Sequence, residues 1–556
     1  YRRTGHHTTM KSDKGRKYML WLPVTAAAFM LLGLWAGRFL ATDGSDAPAR
    51  TKLDKVFELI GENYVDPVSY DSLVELAIPE ILLNLDPHSV YIPASERTAA
   101  NRDLESSFFG IGIQFQMIND TLYIVEVIAG GAAEEAGIMP GDRIIAVDSL
   151  DIAGNGTSSN EVFGLLRGPR DTRVHVTVRR QSSAEPLEFD LVRAEVPVSP
   201  IDAAYMLTDT IGYVRLGKFS DNTFAEFLRV FDGLRSEGAR AYVLDLRGNG
   251  GGYMSPAVLM ANEFFGDDCN LIVSTRGRNL SDNRVIYSDR TGAFGSEPVA
   301  VLIDEFTASA SEILSGALQD NDRAIIVGRR SFGKGLVQTP FELPDSSEFR
   351  LTIQRYYTPS GRCIQKTYSN GMEDYQYEVY NRFSNGELFT ADSIHIDSTQ
   401  IFHTSGGRQV YGGGGIMPDV FVPSDTAGVT SYYIKVANSG LLRDFAYEYA
   451  DRNRSTLAES RNTAELLRQL PQDYTLLQAF VEFARRKGVA PRWYYINTSA
   501  PLIVNQIKAL IARDVVGMDG YFEVVNSTDP VVIEAVERIQ HGDARTLPGI
   551  DNNQRR

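Results

Sequence analysis

Residues Val299 to Gln338 read VAVLIDEFTASASEILSGALQDNDRAIIVGRRSFGKGLVQ. Val299 to Ile303 is an unbroken apolar run of strand length, and Ala324 to Val327 is a second one. Between them Glu312 to Asp320 places Ile313, Leu314, Ala317 and Leu318 at the spacing of one helix face. Strand, helix, strand is the unit of a parallel sheet, so the chain is read as α/β at its centre. The corners of the unit are polar. One is Thr307-Ala-Ser309-Ala-Ser311-Glu312; the other is Lys334 between Gly333 and Gly335.

Each corner has a reading that needs no chemistry. Ser309 and Glu312 have the spacing of a helix capping box, and Lys334 fits a solvated turn. Gly328 to Lys334 also matches the first seven positions of a phosphate-binding loop directly after a strand. The eighth position departs: Gly335 stands where a Ser or Thr would hold magnesium. Leu336 to Pro340 then reads as strand or turn, not as the helix whose N-terminus should face the phosphates.

Taken together, TASASEI and FGKGLVQ resemble the active-site pair of the C-terminal processing peptidases, also called tail-specific proteases, which are Ser-Lys enzymes. By position, the resemblance implies Ser309 as nucleophile, Lys334 as general base and Gln338 as the residue that orients the lysine. Ser311 lies two positions past the one the family pattern selects. The chemistry of the residues agrees. A serine hydroxyl is a poor nucleophile until a neighbouring base takes its proton. The seven histidines (His6, His7, His88, His175, His395, His403 and His541) all lie outside this stretch, so only a remote one folding back could serve. A lysine serves when its pKa falls from about 10.4 toward neutrality, which burial can supply. Lys334 is therefore expected to be largely desolvated.

The second half of such a site is read in Ala241-Tyr-Val-Leu-Asp-Leu-Arg-Gly-Asn-Gly-Gly-Gly252, a buried strand running into a glycine-rich turn. Alone it is a strand-to-helix connection. Beside the Ser309 corner it resembles the oxyanion loop of the family, with the N–H of Gly250 or Gly251 joining that of Ala310 at a helix N-terminus. Arg247 is expected to anchor this loop.

Upstream, Phe109-Gly-Ile-Gly-Ile-Gln-Phe115, Leu122 to Ile128 and Val174 to Val178 read as strands, and Pro140-Gly-Asp-Arg-Ile144 lies among them. This resembles a PDZ domain. The resemblance implies that Phe109, Gly110, Ile111 and Gly112 form the loop whose N–H groups hold a peptide C-terminus while the peptide adds a strand. Leu85-Asp-Pro-His-Ser89 resembles a turn found before that domain in the same family, and His88 reads as a turn residue.

At the other margin Tyr18 to Gly37 is almost wholly apolar, close to the roughly 20 residues that cross a bilayer. Lys11, Lys14, Arg16 and Lys17 precede it, which predicts a cytoplasmic N-terminus. Met10 reads as a natural start. No lipidation cysteine follows and no small-residue cleavage site is evident before Asp43, so an uncleaved signal anchor is favoured. Net charge of −16 argues against nucleic-acid partners. Cys269 and Cys363 permit one disulfide without requiring it.

These readings divide the chain as follows: a cytoplasmic tail (1–17), a transmembrane anchor (18–40), a helical region (45–104), a PDZ domain (105–195), a protease core (196–425) and a C-terminal helical domain (426–556). Residues 365–409 lack clear periodicity and read as an insertion. The helical tail leaves room for a homodimer contact or an adaptor protein. The fold class expected is α/β multidomain, with a crotonase-like (ClpP-like) protease core and an inserted, β-rich PDZ domain. The function implied is a periplasmic serine endopeptidase anchored in a bacterial inner membrane, which recognises apolar C-terminal tails of protein substrates and needs no cofactor or metal. A PDZ scaffold with an inactive core and a phosphate-loop protein are the competing classes.

Overall fold

The computed structural model describes residue 30, residues 47–101 and residues 107–544, less residues 119, 129, 181, 267 and 268. The predicted tail (1–17) and, apart from residue 30, the predicted anchor (18–40) lie outside them. Among the described residues no helix is long and apolar enough to cross a membrane. The chain divides into two compact units between Ile81 and Leu82. The first carries the helix Ala47–Asn63 and most of the helix Tyr70–Leu83.

The second unit opens with strand β1 (Val90–Ile92), then β2 (Ser107–Gly110). An antiparallel sheet follows, of β3 (Ile113–Ile118), β4 (Thr121–Val127), β5 (Arg143–Val147), β6 (Leu150–Asp151), β7 (Arg173–Arg179) and β8 (Leu187–Val192). Its order is β3-β4-β5-β7-β8, with β6 paired to β5. Strand alternation makes its core: Val174, Val176 and Val178 of β7 point inward with Leu122, Ile124 and Ile144. Then β9 (Ala194–Pro197) returns to pair with β2, closing the excursion.

The core sheet is built from β10 (Ile201–Met206), β11 (Ile211–Leu216) and β12 (Ala241–Asp245). A second sheet takes β13 (Leu271–Gly277) and β14 (Arg284–Tyr287), and the chain returns to the first through β15 (Val299–Ile303) and β16 (Ile325–Gly328). Next come β17 (Leu336–Glu342), β18 (Glu348–Tyr357), the hairpin of β19 (Ile401–His403) and β20 (Gln409–Tyr411), and β21 (Val420–Phe421). The first sheet runs β10-β11-β12-β15-β16-β21, parallel throughout except for β10. The second runs β1-β18-β13-β14 with β17 also on β18.

Strands β12, β15 and β16 are wholly buried, as strands covered on both faces must be. Leu244, Val301 and Ile326 face the helices Thr223–Glu237, Met254–Phe265 and Ala310–Asp320. Val243, Leu302 and Val327 face the other way, onto Val531, Val532, Ala535 and Ile539 of the helix Pro530–His541.

Two expectations need correction, and the open pairing of the cysteines is answered. Region 426–556 is not one body: helices between Ser431 and Asn526 share their own apolar core, whereas Pro530–His541 packs on the protease sheet. The aperiodic stretch 365–409 holds a helix, Met372–Ser384. It docks through charge: buried Arg382, paired with Glu378 of the same helix at 2.6 Å, donates to the Ser331 carbonyl at 2.8 Å. Cys269 and Cys363 are both unpaired thiols.

Candidate active site

Three adjacent parallel strands deliver the site. The glycine loop follows β12, the Ser309 corner follows β15 and the Lys334 segment follows β16, so all three sit at strand C-termini, where open α/β sheets place their ligands. The glycine loop is stapled to the serine corner. The Asn249 carbonyl accepts from the Ala308 N–H at 3.0 Å and from the Ser311 hydroxyl at 3.0 Å, and Thr307 Oγ1 donates to the Leu246 carbonyl at 2.9 Å. Ser311 is fully buried in that bond, which leaves Ser309 as the serine facing the cleft.

Ser309 has φ 57° and ψ −115°. A side-chain-bearing residue in such a conformation costs about 1–3 kcal/mol and persists only where its surroundings enforce it. Here the enforcement comes from Glu312. Its Oε2 accepts the N–H groups of Ser309 (2.9 Å) and Lys334 (2.8 Å); its Oε1 accepts the Ser331 hydroxyl (2.5 Å) and the Gly333 N–H (2.8 Å). One buried carboxylate thus ties the serine to the lysine. Burial pushes its pKa up, against the pull of these four donors. The Glu312 carboxylate reaches back to the Ser309 N–H, as the capping-box reading expects, and the Ser309 carbonyl accepts the Glu312 N–H at 2.9 Å.

Lys334 Nζ donates to Gln338 Oε1 at 3.1 Å. Burial lowers its pKa from the ordinary 10.5, with Arg350 acting the same way and Glu312 and Asp86 opposing. A β-bulge between Val337 and Gln338 breaks the regular register just where Gln338 enters the cleft. The amide of Gln338 is oriented in turn: its Nε2 donates to the carbonyl of His88. That carbonyl belongs to a turn held by Asp86, which accepts the N–H groups of His88 (2.8 Å) and Ser89 (2.9 Å). Tyr356 adds a second tie, its hydroxyl lying 2.6 Å from the Lys334 carbonyl and 3.1 Å from that of Ser309.

Gly250 and Gly251 behave differently. The Gly251 N–H donates to Asn249 Oδ1 at 2.9 Å. Gly251 has φ +101°, and a Cβ there would lie 2.8 Å from Ser309 Cβ and 2.9 Å from Ala310 N, so its role is close approach. Gly250 lines the cleft with Ala310, whose N–H opens the helix. Of the two glycines, Gly250 is the one that lines the cleft with Ala310. The cleft holds about 330 Å³ and is lined by Ser309, Ala310, Lys334, Gln338 and Gly250, with Met254 and Leu336 among its apolar walls.

This geometry removes the phosphate-loop reading. The N–H groups of Gly333 and Lys334, which would cradle a phosphate, already hold Glu312, and strand β17 follows in place of a helix. His88 sits in a turn, as read, and its carbonyl meets the site through Gln338. Its ring nitrogen lies 2.6 Å from the Tyr375 hydroxyl, and burial, reinforced by Lys334, lowers its pKa to about 4. Arg247 does anchor the glycine loop, bonding Asp245 (2.7 Å) and Asp529 (2.7 Å).

The pattern of peptidase family S41 matches residues 210–374, that of a PDZ domain residues 123–180, and that of a family of unknown function residues 432–517. The carboxy-terminal-processing protease of Bartonella bacilliformis is 37% identical over 314 residues, 56% of this chain and 71% of the relative. The carboxyl-terminal-processing protease of Synechocystis sp. is 34% identical, with 56% and 75% covered. The chain belongs to the carboxy-terminal processing proteases of peptidase family S41. It is a serine protease with a PDZ domain. Carboxy-terminal processing protease CtpB of Bacillus subtilis is 32% identical, with 64% of this chain and 73% of the relative covered. Among solved structures, the photosystem II D1 C-terminal processing protease aligns at 29% identity and TM-score 0.31, covering 56% of this chain and 89% of that one.

In this peptidase the PDZ loop residues divide by role. Phe109 is exposed, Gly110 ends β2, and Ile111 buries its side chain in the PDZ core. Gly112 has φ +82°, and a Cβ there would meet the backbone of Gly131 at 3.0 Å. Among the described residues strand β3 pairs only with β4, which leaves its other edge free beside this loop. The helix Ser159–Leu166 flanks it, with the rings of Phe115 and Phe163 4.7 Å apart. The contributions of Asp86, the His88 carbonyl and Tyr356 were not visible in the motifs. The one signal for the first two was the Leu85–Ser89 turn.

Proposed function

We propose that Ser309 and Lys334 are the catalytic dyad of this peptidase, and that the PDZ loop captures the apolar C-terminus of a protein substrate. The observation that carries the reading is the lysine itself: Nζ held by Gln338 at 3.1 Å, its charge disfavoured by burial, in one cleft with Ser309. Lys334 takes the proton as Ser309 Oγ bonds the scissile carbonyl carbon. The oxyanion is received by the N–H groups of Ala310 and Gly250. On collapse the C–N bond breaks and the leaving amine takes the proton from Lys334. Water, deprotonated by the same lysine, then hydrolyses the ester and restores Ser309.

The tail reading is supported by the free edge of β3 beside the loop at Phe109 to Gly112. A single-pass anchor at residues 18–40 in a bacterial inner membrane, with the catalytic part in the periplasm, is supported by the apolar run and the four basic residues before it.

The test uses the full chain in detergent and an unfolded substrate ending in small apolar residues. Cleavage by the parent should vanish in both Ser309→Ala and Lys334→Ala, and should fall when the substrate tail is made charged. Lys334→Ala should melt no lower than the parent, because a buried amine with a lowered pKa costs stability at neutral pH. Cleavage surviving in Lys334→Ala would overturn the dyad; a melting temperature well below the parent's would make the lysine a structural ion.

A further inference from the structure

A large open space lies away from the catalytic cleft. A cavity of about 1120 Å³ separates the PDZ domain from the C-terminal helices. Its PDZ wall includes Gln116 and Met117, on β3, and Ser159, at the start of the flanking helix. Its other wall includes Lys435, Arg443 and Lys487, within the 432–517 region that matches a family of unknown function.

The position of that cavity follows from strand geometry, given the tail-binding reading above. A carboxylate held at Gly110 to Gly112 sits just before β3 begins at Ile113. The residues upstream of the carboxylate must then run along the free edge of β3 toward Met117, at about 3.3 Å per residue. An added strand alternates its side chains between the two faces of the sheet. One set faces the helix Ser159–Leu166. The other faces the side of the sheet that carries Gln116, and there Arg443 Nη1 bonds Gln116 Oε1 at 2.9 Å. The cavity therefore continues the tail groove.

Its charge is uneven. Lys435 and Lys487 line it, and among the described residues neither forms an ion pair within 4.0 Å. Arg443 reaches Asp444 only at 4.0 Å, and buried Arg443 Nε and Asp444 Oδ1 lack hydrogen-bond partners. Of the two acidic lining residues, Glu448 is already paired with Arg452 at 2.5 Å. Spare cationic donors beside a polar space call for an anionic guest.

We infer that the C-terminal helical domain forms a second part of the tail-binding site, taking an acidic side chain of the substrate a few residues upstream of its apolar C-terminus. The PDZ loop then reads the terminus and the helical domain reads the sequence before it.

The test is binding of fluorescent peptides to the full-length Ser309→Ala protein. The peptides share an apolar C-terminus and carry Glu, Gln or Lys about four to six residues upstream of it. The Glu peptide should bind about 3- to 10-fold tighter than the Gln peptide, and the Lys peptide weaker than either. In the Lys435→Gln, Lys487→Gln double variant that advantage should disappear while the Gln peptide binds as before. Both substitutions are on exposed side chains, and an unchanged melting curve checks the fold. Equal affinity of Glu and Gln peptides for the parent overturns the inference alone. An amidated C-terminus binding as well as a free one overturns the tail reading beneath it, and the inference with it.

Discussion

Replacing Glu312 by glutamine keeps the shape of the side chain and changes what its two terminal atoms can do. In the fold each oxygen accepts two hydrogen bonds: Ser309 N–H and Lys334 N–H on Oε2, the Ser331 hydroxyl and Gly333 N–H on Oε1. A glutamine retains one oxygen, so its NH2 must face either two main-chain N–H groups or one N–H and a hydroxyl. The hydroxyl can turn to accept; an N–H cannot. At least one buried donor is orphaned, at about 1–3 kcal/mol, and the remaining bonds lose their charge assistance. Removing the buried charge relieves its desolvation and offsets part of this, so the net loss should not exceed about 1–3 kcal/mol, measurable as a lower urea midpoint at unchanged slope. The same substitution loosens the tie between Ser309 and Lys334, so kcat should drop about 10- to 100-fold with little change in KM. It also removes a charge that raises the Lys334 pKa, so the rise of activity with pH should move to lower pH. If the variant unfolds with the parent and its pH profile does not move, Glu312 is protonated in the fold and the argument for a charged tie is wrong.

Two further outcomes rest on the same region. Gly251→Ala places a Cβ within 2.8 Å of Ser309 Cβ at φ +101°, so steady-state cleavage should fall by about 100-fold. Gly250→Ala meets nothing within 4 Å and should lose far less; similar losses would refute the division of roles between the two glycines. His88 is lowered from 6.5 to about 4, so the unfolded chain binds the extra proton between those values and stability falls as pH drops through that window. The contribution is at most about 3 kcal/mol, and the pH dependence of the urea midpoint should flatten in His88→Gln; an equal slope in both proteins would exclude His88 as its source.

Much of this site was legible because its parts are local. Strand, helix and strand in Val299 to Val327 announce themselves by period, and Ser309, Lys334 and Gln338 sit at their corners. What was not legible depends on long-range contact. Nothing in the sequence near Gln338 says that its amide meets the His88 carbonyl 250 positions earlier. Gly250 and Gly251 are the same residue in sequence, and only the Asn249 side chain distinguishes their N–H groups. The helix Met372–Ser384 was missed because its buried residues include Arg382, paired with Glu378, where apolar periodicity sees only polarity. The helix Pro530–His541 was recognised as a helix, but its amphipathic face does not say which sheet receives it.

That last helix bears on how the enzyme comes into being. A mostly parallel sheet holds only when both faces are covered, and here one face waits for Val531, Val532, Ala535 and Ile539. Arg247, beside the glycine loop, likewise waits for Asp529, 282 positions downstream. Domains of a nascent chain generally fold as they emerge, but this core closes by contacts of very high sequence separation. Residues that line the catalytic cleft are therefore synthesised long before the sheet behind them is sealed. A partly made chain thus carries Ser309 and Lys334 before the helix that covers the sheet behind them has been made.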